Sequence, residues 1–156
     1  MTEPALDTGN ILIVDDEATA VENLAHVCRK QGHEVTTRMT GQGAIEALEK
    51  NRFDVVLTDL RMEKVDGMAI LHRTKELSPE TAVILITGYA TLDSAVEAMK
   101  AGAFHYIAKP FRLDEVREVV RNALELVNLK KENRQLKEQL TSSQGGSSII
   151  TQDTIM

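Results

Sequence analysis

Five residues at the ends of apolar runs could do chemistry together. Asp15 and Asp16 close the run Ile11-Leu12-Ile13-Val14, and Asp59 closes Val55-Val56-Leu57-Thr58. Thr87 closes Val83-Ile84-Leu85-Ile86, and Lys109-Pro110 follows Phe104-His105-Tyr106-Ile107-Ala108. If these runs are parallel strands, their carboxyl ends share one sheet edge, where open α/β sheets build their sites. Three carboxylates, a hydroxyl and an ammonium would then converge. Carboxylates so placed are costly to leave unpaired, and this set suits a hard divalent cation together with a phosphoryl group.

The elements that must position these residues alternate along the chain. Strand patterns cover 10–15, 33–38, 53–58, 82–87 and 104–108. Between them lie helical patterns: 17–31, stopped by Gly32; 40–50, opened by Thr40-Gly41; a helix after Asp66-Gly67 ending near Leu77; and 91–101, stopped by Gly102. A last helix starts near 112. Val21, Leu24, Val27 and Cys28 give the first helix its inner face, and Ala44, Ile45 and Leu48 give the second theirs. Such alternation implies an α/β fold, a doubly wound five-stranded parallel sheet with helices on both faces. The polar stretch His33-Glu34-Val35-Thr36-Thr37-Arg38 belongs at an edge. The expected strand order is therefore 2-1-3-4-5, flavodoxin-like, with the first and third strands flanking the topological switch point. Asp15, Asp16 and Asp59 end those two strands.

The last helix carries two stripes. Leu113, Val116, Val120, Ala123 and Val127 are expected to pack on the sheet. Val119, Leu126, Leu129, Asn133, Leu136 and Leu140 form a second stripe, whose heptad spacing over about three heptads points to a coiled coil. A parallel homodimer would set Glu125 against the partner's Lys130 and Glu132 against the partner's Lys137, with Asn133 favouring two strands in register. The expected division is a disordered stretch at 1–8, a folded domain at 9–127, a coiled-coil linker helix at 128–140 and a flexible tail at 141–156.

Composition narrows the function classes. Aromatic residues make up 3% of the 156 and there is no Trp, which leaves no stacking platform for single-stranded nucleic acid. A formal net charge of −6 argues against direct binding of nucleic acid or of an anionic membrane. The single cysteine, Cys28, rules out an intrachain disulfide and reads as core. Without a basic, apolar start or a membrane-length run, the expected location is the cytoplasm.

In this order and at these strand ends, Asp15-Asp16, Asp59, Thr87 and Lys109-Pro110 resemble the receiver domain of bacterial two-component response regulators. Singly, each has a plainer reading: Asp15 as a helix cap, Thr87-Gly88 as a loop start, Lys109 as a surface cation, Tyr106 as core or edge. The resemblance implies that Asp59 accepts a phosphoryl group from a sensor histidine kinase. It implies Mg²⁺ as cofactor, held by Asp16 and Asp59, by Asp15 through water and by the backbone carbonyl of Arg61. Thr87 and Lys109 would hold phosphoryl oxygens, Tyr106 would be the switch aromatic, and the Lys109-Pro110 bond would be cis. The chain would be no enzyme beyond phosphorylation and dephosphorylation of its own Asp59. Glu63 departs from the family, where Pro commonly follows the residue matching Met62. Arg61 and Tyr89 occupy positions that influence water access in the family, and two bulky groups there imply slow phosphoryl loss.

Asp59-Leu60-Arg61-Met62, Thr87-Gly88-Tyr89-Ala90-Thr91, Gly102-Ala103-Phe104 and Glu132-Asn133-Arg134-Gln135-Leu136 look most like NtrC-type activators. In that family a coiled linker joins the receiver to an AAA+ ATPase, and the segment 149–156 resembles the beginning of that ATPase domain. On this reading the chain is a receiver-plus-linker fragment whose dimer state controls transcription activation. The alternatives are a stand-alone or differently fused receiver, or a Mg²⁺-dependent aspartyl phosphatase of the haloacid-dehalogenase type. The phosphatase wants a second Asp where Arg61 stands. A flavin binder wants a Ser/Thr/Gly phosphate loop where the chain has Asp15-Asp16. Gly41-Gln42-Gly43 is half a dinucleotide fingerprint, with Glu46 in place of the third glycine.

Overall fold

The computed structural model describes residues 8–144, which excludes all but residue 8 of the expected 1–8 stretch and 145–156 of the expected tail. Five strands and five helices alternate: β1 (Asn10–Val14), α1 (Ala18–Lys30), β2 (Glu34–Arg38), α2 (Gly41–Lys50), β3 (Val55–Thr58), α3 (Gly67–Leu77), β4 (Ala82–Thr87), α4 (Leu92–Lys100), β5 (His105–Ala108) and α5 (Leu113–Gln144). All neighbouring strands are parallel, in the order β2-β1-β3-β4-β5. β2 is the polar edge strand expected from its composition, with no fully buried residue.

The period-2 geometry of a strand divides the core in two. Ile11, Ile13, Val55, Leu57, Ile84, Ile86 and Ile107 pack with α1 and α5. Leu12, Val14, Val56, Val83 and Leu85 pack with α2, α3 and α4. Both faces of the three central strands are therefore apolar, the composition expected of a parallel sheet covered on both sides. Side-chain caps start three of the helices: Thr40 Oγ1 accepts from Gly43 N–H, Asp66 Oδ1 from Ala69 N–H, and Thr91 Oγ1 from Ser94 N–H. Gly32 ends α1 at φ +95°, a conformation that costs a side-chain-bearing residue more. Cys28 is buried, and burial pushes its thiol up to about 12.

Helix α5 corrects three expectations. Val119, expected on the dimer seam, packs into the core with Val116, Val120, Ala123, Leu124 and Val127. The stripe that a helix buries against a sheet is wide, with steps of three and four, and Val119 lies inside it. Leu113, expected on the sheet, is exposed at the first residue of the helix. The helix also runs past Leu140, through Gln144. Leu126, Leu129, Leu136 and Leu140 are exposed, and Leu129 and Leu140 are 61% and 62% accessible. Below the core, Lys131 Nζ meets Asp54 Oδ1 at 2.5 Å, and Arg134 pairs with Glu80. These two cations lie away from the exposed leucines: at about 100° per residue, Lys131 and Arg134 each fall more than 100° around the axis from Leu129, Leu136 and Leu140.

Candidate functional site

Strands β1 and β3 are adjacent, so their ends deliver Asp15, Asp16 and Asp59 to one place. Each of the three offers a carboxylate oxygen within 4.8 Å of the others. Asp15 and Asp59 are buried and Asp16 is exposed. The ladder continues into the site: Asp59 N–H donates to Val14 O at 2.9 Å, and Asp15 N–H to Arg38 O at 3.2 Å. A Cβ on Gly67 would collide with the backbone carbonyl of Asp59, so only glycine allows α3 to start this close to the end of β3.

From the end of β5, Lys109 reaches back across the sheet edge. Its Nζ donates to Asp15 Oδ2 at 2.9 Å and to Asp59 Oδ2 at 3.3 Å, and lies 3.9 Å from Glu17 Oε1. Its own N–H donates to Thr87 O at 2.8 Å, and the Lys109–Pro110 peptide bond is cis. Asp15's other oxygen accepts from Glu17 N–H at 3.0 Å, so the first aspartate also steadies the start of α1. Asp59 Oδ1 accepts a long bond, 3.3 Å, from Arg61 N–H.

The charges perturb one another. Burial pushes the Asp59 carboxyl above the usual carboxylate range; Lys109 opposes this and the nearby Asp15 adds to it. Burial pulls the Lys109 ammonium down, but its bonds and attraction to Asp15 and Asp59 outweigh that and raise it. Asp59 is thus a carboxylate whose negative charge is under-compensated, next to a cation that stays charged.

Thr87 and Tyr106 stand apart from the carboxylates. Thr87 is fully buried, and its Oγ1 accepts from Tyr89 N–H at 3.0 Å. Tyr106 is half-buried against the α2–α4 side of the core, and its hydroxyl meets Ser94 Oγ at 2.5 Å. Arg61 Cζ lies 4.4 Å from the Tyr89 ring centroid, so the two bulky residues stack on each other beside the cleft. Glu63 and Asp66 also line this cleft. Sequence reasoning missed Ser94 and Glu17. The spacing of Thr91 and Ser94, three apart before a helix, carried a signal for Ser94, and the need of a half-buried tyrosine hydroxyl for a partner carried another. Glu17 gave no signal, because its approach to Lys109 depends on the sheet.

Three carboxylates with no imidazole or thiolate form a hard oxygen donor set, which fits Mg²⁺. Both oxygens of Asp15 already accept hydrogen bonds, while Asp16 is free to face solvent.

Residues 11–121 match the response regulator receiver domain family, and the chain belongs to it. Members of this family are phosphorylation-dependent signalling modules rather than catalysts, and they generally bind Mg²⁺ at an acidic pocket of this kind. Among curated proteins, the regulatory protein AtoC of Escherichia coli (strain K12) is 40% identical over 146 residues, covering 94% of this chain and 32% of that one. The DNA-binding transcriptional regulator NtrC of the same organism is 36% identical over 119 residues, covering 76% and 25%. Among solved structures, NtrX from Brucella abortus in complex with ADP has a TM-score of 0.77 at 33% identity, covering 83% of this chain and 30% of that one. The chain is therefore a receiver related to NtrC-type activators, and it spans about a third of these relatives' length or less. Among the described residues no helix is long and apolar enough to cross a membrane.

Proposed function

We propose that Asp59 is the phosphoacceptor and that its phosphorylation by a sensor histidine kinase controls a transcription-activating ATPase through the dimer state of α5. The observation that carries this is Lys109 bridging Asp15 and Asp59 inside the three-carboxylate cluster. An Asp59 carboxylate oxygen attacks the phosphorus of the kinase's phosphohistidine. The P–N bond breaks as the P–O bond forms, and the imidazole takes the electron pair and a proton from solvent. Phosphoryl transfer needs positioning and charge neutralisation more than covalent help. Lys109 stays within reach of Asp59 and meets one phosphoryl oxygen. The Thr87 hydroxyl gives up the Tyr89 N–H and donates to another. Tyr106, on the same sheet face, moves into the space Thr87 leaves.

Asp16 and Asp59 would hold Mg²⁺ directly, Asp15 through water and Arg61 through its carbonyl; the ion supplies positive charge to the phosphoryl oxygens. The Arg61–Tyr89 stack shields the acyl phosphate from water, and slow loss of the group follows. This setting is cytoplasmic, where ATP supplies the kinase.

The second half of the reading is the seam. Leu126, Leu129, Asn133, Leu136 and Leu140 face away from the receiver, and a parallel second copy covers them. Sedimentation of the chain with Mg²⁺, with and without beryllofluoride, tests both halves. The expected result is a change in mass or shape that Asp59→Asn abolishes. No beryllofluoride binding would remove the acceptor assignment. Verified binding with a single concentration-independent monomer mass would remove the dimer.

A further inference from the structure

Ser94 is the third residue of α4 and half of its capping box. Its Oγ is met by Thr91 N–H at 3.2 Å and by Thr91 Oγ1 at 2.9 Å, and it donates to Thr91 O at 3.1 Å. The Tyr106 hydroxyl is a fourth contact, at 2.5 Å. A serine hydroxyl has one proton and two lone pairs, so it cannot serve all four at full strength. Tyr106 and the α4 cap therefore compete for one oxygen. The β4/β5 register pairs Leu85 with Tyr106 and Thr87 with Ala108. Side chains two apart share a face, so Thr87 is the diagonal neighbour of Tyr106 on the α4 side of the sheet.

We infer that Ser94 is a latch: its hydroxyl holds Tyr106 in place in the unphosphorylated chain and, once released, completes the cap of α4. Rotation of Tyr106 and tightening of α4 are then one event. The lost Tyr106 bond is offset by a stronger cap, so the two arrangements lie close in free energy, as a switch requires. The inference rests on the reading of Asp59 as acceptor and Tyr106 as the moving aromatic. Ser94 touches no reacting atom and is a positioning residue.

Beryllofluoride titration of the full chain with Mg²⁺ tests it, using Ser94→Ala, Tyr106→Phe and both together. Tyr106→Phe, which removes the latch alone, should bind about 3- to 10-fold more tightly, the equivalent of one neutral hydrogen bond, whereas Ser94→Ala, which removes latch and cap together, should gain less. The double variant should bind no more tightly than the better single. Thr91→Ala, which leaves the latch and weakens the competing cap, should shift affinity the opposite way. A second readout needs no phosphoryl mimic: in Ser94→Ala the Tyr106 ring resonance should leave its wild-type position as the ring is released, whereas in Thr91→Ala, which keeps the latch, it should stay. An unchanged Tyr106→Phe affinity, a Ser94→Ala gain as large as that of Tyr106→Phe, additive effects or an unmoved Tyr106 resonance would overturn the latch. A wild-type chain that fails to bind beryllofluoride would strike the acceptor reading instead, and the Tyr106 resonance would still decide the latch.

Discussion

At the scale of the residue, Asp59 is an ionisable group held at a cost. Because burial raises its pKa in the folded chain, the folded state holds the Asp59 proton more tightly than the unfolded state does. Its charged form therefore opposes folding at neutral pH, and that penalty fades as pH falls through the raised value. Asp59→Asn should accordingly raise the melting temperature without Mg²⁺, by about 2–5 °C, the size a change near 1 kcal/mol has in a domain of this length. Lys109 keeps Asp15 at 2.9 Å, so the variant strands no cation. Added Mg²⁺ should stabilise the native chain more than the variant, which has one carboxylate fewer. Thermal melts at neutral pH check both. His33 runs the other way. Its Nδ1 is buried with no partner, and burial lowers its pKa below 6.5. As pH falls through about 6.5 the unfolded chain takes up this proton first, so stability drops toward acid, and His33→Gln should flatten that slope in urea titrations at pH 5 to 7. Tyr89→Ala, which removes the stacking partner of Arg61, should speed phosphoryl loss several-fold, read by timed decay of the phosphoprotein.

At the scale of the element, α5 serves two surfaces. Its first half is core: Val119→Ala should cost about 1–3 kcal/mol of domain stability, as other buried truncations do. Its second half carries exposed leucines with nothing beneath them, so Leu129→Ala should leave the thermal midpoint of the dilute chain within about 1 °C and shift only self-association. Calorimetry of the two variants at low and high protein concentration separates the roles. The root of the extension is tied to the receiver by Lys131 to Asp54 and Arg134 to Glu80. These pairs are partly exposed and add at most about 1 kcal/mol each to stability. They fix the direction in which the helix leaves the domain. Lys130, on the same stretch, lies near enough to Lys75 to lower that ammonium further than burial alone does.

At the scale of the whole molecule, the two readouts of the site lie on different parts of the sheet. Asp59 ends β3, whereas Tyr106 and Ser94 sit out on β5 and α4, with Thr87 of β4 between them. The carboxylate cluster is thus separated by one strand, β4, from the flank where the inferred latch would act. The seam follows the same logic of separation. The exposed leucines of α5 lie off the receiver core, so the proposed second copy could join without covering the cleft. AtoC and NtrC are roughly three times as long as this chain; on the proposed reading, the receiver stays free to meet a kinase while the linker pairs.

The alternation of apolar runs and helical stripes, and the polar edge at Glu34–Arg38, determined the strand order. Order alone placed Asp15, Asp16, Asp59 and Lys109 at one edge, because parallel strands put like ends together. Their residue types then dictated the chemistry. Periodicity also found the two stripes of α5, yet it set Val119 on the wrong one, since how wide a stripe the sheet covers depends on the packing of β3, β4 and α1. The partners across long sequence gaps belong to the tertiary structure alone: Tyr106 with Ser94, Arg61 with Tyr89, Lys131 with Asp54. A pattern along the chain records which face a residue turns, and only the folded sheet decides what stands opposite it.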